Sequence, residues 1–380
     1  MRRGGFFAPF VVSITLIAAH AASGHGVMQV QTPADPERVL SERFKFSAAD
    51  IDQARAGQPV AKMIAGGARD ELAVVGAIRL DGDKKRLVEW VRKIERFRHD
   101  AELGLTRGID SPPTAQSFAE LALDSKDLAA LQACRPGQCD LRVPDELIAK
   151  LPSSVAWGTP QAAAQANAFV SGMLTEYAAG YLHGGDAAVF NDFGNLLRGA
   201  TTLYQLAPEF ADYLEKFPGR KLEGVDQRLY WTNLKESSAS LISLHHLVVY
   251  QQPSGDVIIA DKTFYASRYF DVAATVLSLQ DTADGKGYYL IAGSRAKASK
   301  LTSVSGRALR RQIERAAADT VRMYLEWLRD SLAARGAAAQ DTQSPRAPTF
   351  RVSTALVQLD VVVTDSSGFY SVDDERAFSR

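Results

Sequence analysis

Residues 241–266 of this 380-residue chain read LISLHHLVVYQQPSGDVIIADKTFYA, and this stretch decides the fold class. Two runs rich in β-branched and aromatic residues, 241–250 and 257–266, flank the turn-forming sequence Gln252-Pro253-Ser254-Gly255. Runs of this composition and length are typical of β-strands, and a connection this short joins antiparallel neighbours. The stretch therefore predicts two paired strands.

The same strand pattern continues on both sides of this pair. It covers residues 228–235, 269–279 and 288–295, with a second turn signal at residues 281–285. Short connections between consecutive strands predict an antiparallel meander from residue 227 onwards. Residues 305–334 then form a predicted amphipathic helix, because apolar residues recur at steps of three or four: Leu309, Ile313, Ala317, Val321, Tyr324, Leu328 and Leu332. Its arginines alternate with acidic residues, so we expect them to form a solvated face.

Upstream of the meander, a predicted strand leads directly into a predicted helix. Residues 71–80 form a β-branched run that ends at the turn signal Asp81-Gly82-Asp83, and residues 84–97 have helical spacing. Residues 111–224 are mainly helical in pattern. The clearest helix there is expected between Thr159-Pro160 and Gly184-Gly185, with a buried stripe of Ala166, Phe169, Met173, Tyr177 and Tyr181.

The N-terminus has the pattern of a cleavable signal peptide over residues 1–21. Arg2 and Arg3 precede an apolar stretch, and Ala19-His20-Ala21 supplies a small-x-small cleavage site. No cysteine marks a lipid anchor there, and no later segment is long and apolar enough to span a bilayer. We therefore expect an exported protein, periplasmic or extracellular. The expected organisation is a flexible lead over 22–36, an α+β domain over 37–335 with a helical insertion over 111–224, a linker over 336–348 and a strand-like C-terminal extension over 349–380.

Charge and cysteine content limit the classes of partner. Lysine plus arginine and aspartate plus glutamate each number 44, so no charge excess points to nucleic acid. The two cysteines, Cys134 and Cys139, flank a Pro-Gly turn. In an oxidising compartment this arrangement predicts a disulfide, because a redox pair is usually Cys-x-x-Cys and a metal site would need further ligands nearby.

Motifs for common enzyme chemistries are absent from the sequence. It contains no Gly-x-Ser-x-Gly elbow, no phosphate-binding or dinucleotide-binding glycine motif, no His-Glu-x-x-His and no EF-hand loop. Paired carboxylates suited to acid–base catalysis cannot be picked out either. The sequence therefore indicates no catalytic residue, no cofactor and no metal.

Adjacent histidines on a predicted strand are the most distinctive polar residues. Because side chains alternate along a strand, His245 and His246 cannot bind one metal together, and we expect one inside and one in solvent. His246 would share the inner face with residues 242, 244, 248 and 250, as the single polar group on an apolar wall. A lone buried histidine is usually structural, but it can also orient a ligand head group in an apolar pocket.

An aromatic cluster accompanies the histidines: Tyr230-Trp231, Phe264-Tyr265, Tyr269-Phe270 and Tyr288-Tyr289, with Lys262, Arg268 and Arg295 nearby. Aromatic residues on strands mostly pack in the core. The alternative is a cleft in which rings bury a ligand while a cation meets its acidic end. The candidate ligand-binding residues are Trp231, His246, Tyr250, Tyr265 and Arg295.

The strand and helix at residues 71–98, the meander and the long helix at residues 227–334 resemble the START-like, polyketide-cyclase-like (SRPBCC) helix-grip superfamily. That resemblance implies a curved sheet that wraps the C-terminal helix, with a hollow that often holds a lipid or another apolar ligand. The helical stretch of more than 100 residues departs from the family pattern.

The C-terminal extension carries a second resemblance. Residues 349–365 resemble the opening strand of VWFA-related domains of exported acidobacterial proteins. Asp365-Ser366-Ser367-Gly368 departs from the Asp-x-Ser-x-Ser metal site of those domains, so no metal is implied here.

The sequence as a whole predicts an α+β fold, in which an antiparallel sheet packs on a long C-terminal helix and carries a large helical insertion. The expected function is the binding of an apolar or amphipathic, lipid-like small molecule without catalysis. Two alternatives stay open. One is an enzyme that uses His246 in the same pocket, and the other is an envelope structural or interaction protein with a filled core and no ligand.

Overall fold

The computed structural model describes residues 35–64, 69–101, 103–189, 207–235, 240–268, 271–297 and 304–340. The predicted signal peptide at 1–21, most of the lead, Tyr269-Phe270 and the extension at 349–380 lie outside these ranges. The fold and the candidate site are therefore built from the central part of the chain.

An eight-stranded antiparallel sheet forms the centre of the described structure, with strand order β1-β2-β8-β7-β6-β5-β4-β3. The strands are β1 Val60–Met63, β2 Glu71–Asp81, β3 Leu105–Ile109, β4 Val225–Lys235, β5 Ser240–Gln251, β6 Val257–Ala266, β7 Val272–Asp281 and β8 Gly287–Lys297. Strands β4 to β8 neighbour one another in chain order, as the short turns between them predict. The α+β class is confirmed, while the short edge strands β1 and β3 were not predicted.

Helices precede, interrupt and follow the sheet. They are α1 Pro36–Arg38, α2 Ala48–Arg55, α3 Lys85–Arg92, α4 Ile94–Asp100, α5 Ser125–Ala133, α6 Asp145–Ile148, α7 Leu151–Ser154, α8 Ala162–Gly184, α9 Pro208–Glu215 and α10 Val304–Gln340. The single helix predicted over 84–97 is broken at Lys93, whose ψ of 59° leaves the helical region. This break lets the rings of Trp90 and Phe97 meet edge to face, with centroids 4.9 Å apart.

The two faces of the sheet belong to different hydrophobic clusters. On β5, Leu247 belongs to a cluster that also contains Leu325 of α10. Its neighbour Val248 belongs to a cluster that also contains Met173 of α8 and Phe210 of α9. We name these sides the His245 face and the His246 face, after the adjacent histidines that alternate between them.

Both histidines are buried, with 1% of each residue exposed. The expectation that one of them lies in solvent was wrong. That expectation assumed a sheet with one wet face, whereas side chains from helices contribute to the clusters on both faces. Burial on both faces also explains why β5 reads as a nearly continuous apolar run.

Helix α10 contacts the β1–β2 end of the sheet. A Cβ atom built on Gly76 of β2 would lie 2.5 Å from Val321 Cγ1 and 2.9 Å from the carbonyl oxygen of Val60, so only glycine fits there without a shift. The helix continues to Gln340, six residues beyond the predicted end at 334. The first residues of the predicted linker are therefore helical.

Three arginines of α10 bind main-chain carbonyl groups beside β1 and β2. Arg310 donates to the carbonyl oxygens of residues 69 and 71 at 2.6 and 2.9 Å. Arg322 donates to Ala61 O at 3.3 Å, and Arg329 donates to Gly57 O at 2.9 Å. These side chains remain 29%, 42% and 33% exposed, so the arginine face meets solvent and also contacts a sheet edge that the helix sequence alone does not reveal.

The described helices between β3 and β4 pack on the His246 face. Cys134 and Cys139 lie in this insertion with their sulfur atoms 1.94 Å apart, so the predicted pair is at disulfide distance. Buried Asp127 of α5 pairs with Arg268, which follows β6. Among the described residues, no helix combines the length and apolarity needed to cross a membrane.

Candidate functional site

Four of the five predicted site residues meet in the core of the His246 face. Trp231, Tyr250 and Tyr265 are at most 3% exposed. Each already has a partner within the protein: Trp231 Nε1 donates to Ser117 O at 2.7 Å, Tyr250 donates to Glu209 Oε1 at 3.1 Å and Tyr265 donates to Arg142 O at 2.9 Å. These contacts anchor the insertion to the sheet.

His246 is engaged at both ring nitrogens. Its Nδ1 lies 2.8 Å from the hydroxyl of Tyr181, and its Nε2 lies 2.7 Å from Gln227 Oε1. Because an amide oxygen only accepts, Nε2 carries the proton and Nδ1 accepts from Tyr181. Burial lowers the pKa of His246 to about 3, so the ring is neutral at neutral pH. His246 is thus the polar link between β5 and α8.

A buried ion pair lies beside His246. Lys262 on β6 is the register partner of His246, and its ammonium group binds Asp186 after α8. Lys262 is 1% exposed, and burial lowers its pKa to about 8. This pair fixes the end of α8 against the sheet.

Arg295, the fifth predicted residue, is not brought to the others. It lies on β8, three strands from β5, and its Nη2 pairs with Glu71 Oε2 at 3.0 Å. Strand spacing puts about 14 Å between the two strands. Arg295 therefore does not meet the other four residues, whereas Lys262, whose ammonium group lies 4.9 Å from the centre of the Tyr181 ring, is a cation beside them.

A second set of polar residues, not selected from the sequence, lies on the opposite face. We call it the His245-face polar cluster: Arg98, Thr106, Tyr230, Thr232, Ser243, His245, Asp261 and Thr263. Apart from Asp261, whose side chain is 15% exposed, each is at most 4% exposed. Polar groups this deeply buried need partners, because an unpaired one costs about 1–3 kcal/mol.

His245 is the centre of this cluster. Its Nε2 lies 2.8 Å from Ser243 Oγ, and its Nδ1 lies 3.3 Å from Asp261 Oδ1. The ring of Tyr230 stacks on the imidazole at 4.5 Å, and the Tyr230 hydroxyl donates to Asp261 Oδ2 at 2.5 Å. A histidine is therefore held between a hydroxyl and a carboxylate.

The charges of this group follow from its surroundings. Burial lowers the pKa of His245, although Asp261 acts in the opposite direction, so the imidazole is neutral at neutral pH. Burial opposes ionisation of Asp261, but His245, Tyr230 and Arg98 together hold the pKa of that carboxyl below its ordinary value. The group contains a neutral base beside a carboxylate.

Arg98 of α4 supplies the positive charge of the cluster and is 1% exposed. Its Nε donates to Thr106 Oγ1 at 3.1 Å, and its Nη2 reaches Leu103 O at 3.5 Å. Within the described ranges, Nη1 has no hydrogen-bond partner, whereas Asp261 Oδ1 faces His245 Nδ1 at 3.3 Å. The cluster thus offers a buried donor.

No protein-family model matches this sequence, and no curated protein matches it. The site must be interpreted from its own geometry. In the described part of the chain, no three His, Cys, Asp or Glu side chains are grouped to hold a metal ion.

The sequence carried a weak signal for this cluster. Thr106, Thr232 and Ser243 are register partners across β3, β4 and β5. In each strand alone, such residues look like the solvent side of an ordinary alternating pattern. Only the register, together with α4 and α10, reveals that they meet in the interior.

Proposed function

We propose that the protein is an exported binding protein for an amphipathic small molecule, held between the sheet and helix α10. One observation carries the proposal: the His245-face polar cluster offers a buried donor, Arg98 Nη1, without a hydrogen-bond partner among the described residues. An oxygen atom of a ligand head group would satisfy this donor. Ligand sites commonly combine apolar walls with a few convergent polar groups.

The order of elements supports a helix-grip interpretation. A strand (β2), two short helices (α3 and α4), a run of antiparallel strands and one long helix follow one another along the chain. The insertion packs on the His246 face. Its described residues do not pack on the His245 face, whose apolar residues share a cluster with α10. We therefore assign the hollow that the resemblance implies to the His245 face.

The apolar surroundings of the polar cluster favour an amphipathic ligand over a wholly polar one. Ile78, Leu279 and Leu328 belong to the same hydrophobic cluster as the aromatic body of Tyr230. An acyl or ring system would lie against such side chains, while its oxygen atoms would meet Arg98. The signal-peptide pattern at 1–21 supports an exported site of action.

A direct test is to extract the purified protein with organic solvent and identify released molecules by mass spectrometry. A separate, untreated sample of the protein is titrated with dodecanol by calorimetry, and so are the variants Arg98→Met and Arg96→Met. Arg96→Met is the matched control, because Arg96 lies on the same helix with 68% of its side chain exposed. The proposal predicts saturable binding that Arg98→Met weakens roughly tenfold or more and Arg96→Met leaves unchanged.

Absence of any extracted molecule together with absence of saturable binding would contradict the proposal. That result would favour the envelope structural or interaction protein, whose core is filled. The alternative in which His246 catalyses a reaction is disfavoured, because its Nε2 donates to the amide oxygen of Gln227 and its Nδ1 accepts from the phenol of Tyr181, whose pKa is raised by burial.

A further inference from the structure

Ser243, His245 and Asp261 form a continuous row on the His245 face. Ser243 Oγ lies 2.8 Å from His245 Nε2, and His245 Nδ1 lies 3.3 Å from Asp261 Oδ1. This is the order hydroxyl, imidazole, carboxylate that activates a serine nucleophile, an arrangement recognised by geometry and not by sequence position. The three residues come from β5 and β6, and the register of these strands brings them together.

Neighbouring groups hold this row in one orientation. Tyr230 fixes Asp261 through its hydroxyl and stacks on the imidazole. Asp261 Oδ1 and Thr263 Oγ1 each lie 3.3 Å from His245 Nδ1, so both face its proton when Nδ1 is protonated. That tautomer leaves Nε2 unprotonated, facing Ser243. Thr232 Oγ1 lies 2.7 Å from Ser243 Oγ and completes the environment of the hydroxyl.

The donor that we assign to such a site is Arg98. Acyl transfer develops negative charge on the carbonyl oxygen, and a donor placed beforehand stabilises that charge. Arg98 Nη1 is a buried donor of the same cluster without a partner among the described residues. Its Nε is held by Thr106, the register partner of Thr232.

We propose that the row makes this protein a slow hydrolase of esters of apolar acids, with Ser243 as nucleophile, His245 as general base and Asp261 as the group that orients His245. This inference rests on the proposed function, because the ester would occupy the same site as the amphipathic ligand. It assigns to His245 the catalytic role that the sequence alone had suggested for His246.

The reaction balances with water as the only co-reactant. Ser243 Oγ bonds to the carbonyl carbon while its proton passes to His245 Nε2. The bond from that carbon to the alcohol oxygen then breaks, and the alcohol leaves with the proton. Water attacks the acyl group and gives a proton to His245. The ester bond to Ser243 breaks, the carboxylic acid departs, and Ser243 Oγ recovers the proton.

The burial of Ser243 predicts a distinctive dependence on chain length. Ser243 is 0% exposed, so a substrate reaches it only by displacing buried side chains, and the ring of Tyr230 that stacks on His245 belongs to an apolar cluster. A longer acyl chain replaces more of the displaced apolar contacts, at about 0.8 kcal/mol per buried methylene. Reaction should therefore accelerate with chain length, whereas adventitious labelling of a surface hydroxyl should not.

The experiment is labelling with alkyl fluorophosphonates of increasing chain length, followed by intact mass and peptide mapping. The serine oxygen bonds to phosphorus, fluoride leaves and the proton goes to the base. We expect one adduct, mapped to Ser243, that forms faster with a dodecyl than with an ethyl probe. His245→Gln should slow its formation by roughly 10²–10⁴-fold.

Matched controls keep the test decisive. Ser278→Ala removes another buried strand serine, 3% exposed and hydrogen-bonded to Gln280, and should leave labelling unchanged. Mapping the adduct on the unmutated protein does not depend on whether Ser243→Ala folds. An adduct on another residue would overturn the proposed hydrolase activity, and so would the absence of any adduct in a protein that still binds dodecanol. Both results would leave the proposed binding function standing. Absence of both binding and adduct would overturn both.

Discussion

His246 makes the stability of this protein sensitive to acid, by an amount that the structure allows us to estimate. Burial lowers its pKa in the folded state from 6.5 to about 3. Below pH 6.5 the unfolded chain therefore binds a proton that the folded chain excludes, and stability falls as the pH falls towards 3. Above pH 6.5 both states are neutral at this residue, and its contribution does not change with pH.

The expected loss of unfolding free energy follows from the pH interval over which His246 is protonated only in the unfolded state. Between pH 6.5 and pH 5.0 this interval is 1.5 pH units, and each unit corresponds to about 1.4 kcal/mol, so His246 accounts for about 2 kcal/mol. Buried His245 acts in the same direction, because its pKa is also lowered. The wild-type protein should therefore lose more than His246 alone explains.

The assay is urea unfolding at pH 7.5 and pH 5.0 for the wild-type protein and His246→Gln. Glutamine cannot titrate, so the difference in unfolding free energy between the two pH values should shrink by about 2 kcal/mol. His99→Gln is the control, because that side chain is 89% exposed. Equal pH dependence in wild type and His246→Gln would refute the argument that this ring is held neutral in the core.

Three further sets of substitutions test the packing, each measured by urea unfolding at pH 7.5. Gly76→Ala should destabilise by about 1–3 kcal/mol through overpacking against α10, and Val321→Ala in the same chain should recover part of that loss; strictly additive effects would contradict this contact. Replacing Cys134 and Cys139 by serine should cost about 2 kcal/mol through loop entropy, and an unchanged midpoint would count against a stabilising disulfide. Lys262→Met should cost about 3–5 kcal/mol, because it leaves a buried carboxylate without its counter-charge; a neutral result would mean that this carboxylate is protonated or hydrated.

Local sequence pattern was sufficient for the central elements. The run at 257–266 has the bounds of β6, Val257–Ala266, because the Pro253-Ser254-Gly255 turn marks its start and β-branched and aromatic composition marks its length. The apolar stripe of α10 was also visible, and Ala317, Val321, Tyr324 and Leu328 are buried. Such features depend on residues that are close in sequence, which is why they can be predicted.

The location of the site could not be predicted in the same way. Alternation showed that His245 and His246 point to opposite faces, but not that the insertion covers one of those faces. The predicted residues Trp231, Tyr250 and Tyr265 consequently bind the insertion. Arg98 was overlooked because its partners are contributed by β3 and the loop before it, at the edge of the sheet.

The most direct test of the binding proposal uses the four tryptophans, which report on the two faces separately. Trp90 and Trp327 belong to the cluster that includes α10, whereas Trp231 belongs to the other cluster and Trp157 packs against it. Fluorescence is measured in two double variants while a dibrominated acyl chain, which quenches nearby indoles, is titrated in. Trp157→Phe/Trp231→Phe keeps the two tryptophans of the α10 cluster, and Trp90→Phe/Trp327→Phe keeps the other two. The account predicts saturable quenching only in Trp157→Phe/Trp231→Phe. Quenching confined to the second variant would place the ligand on the His246 face and contradict it.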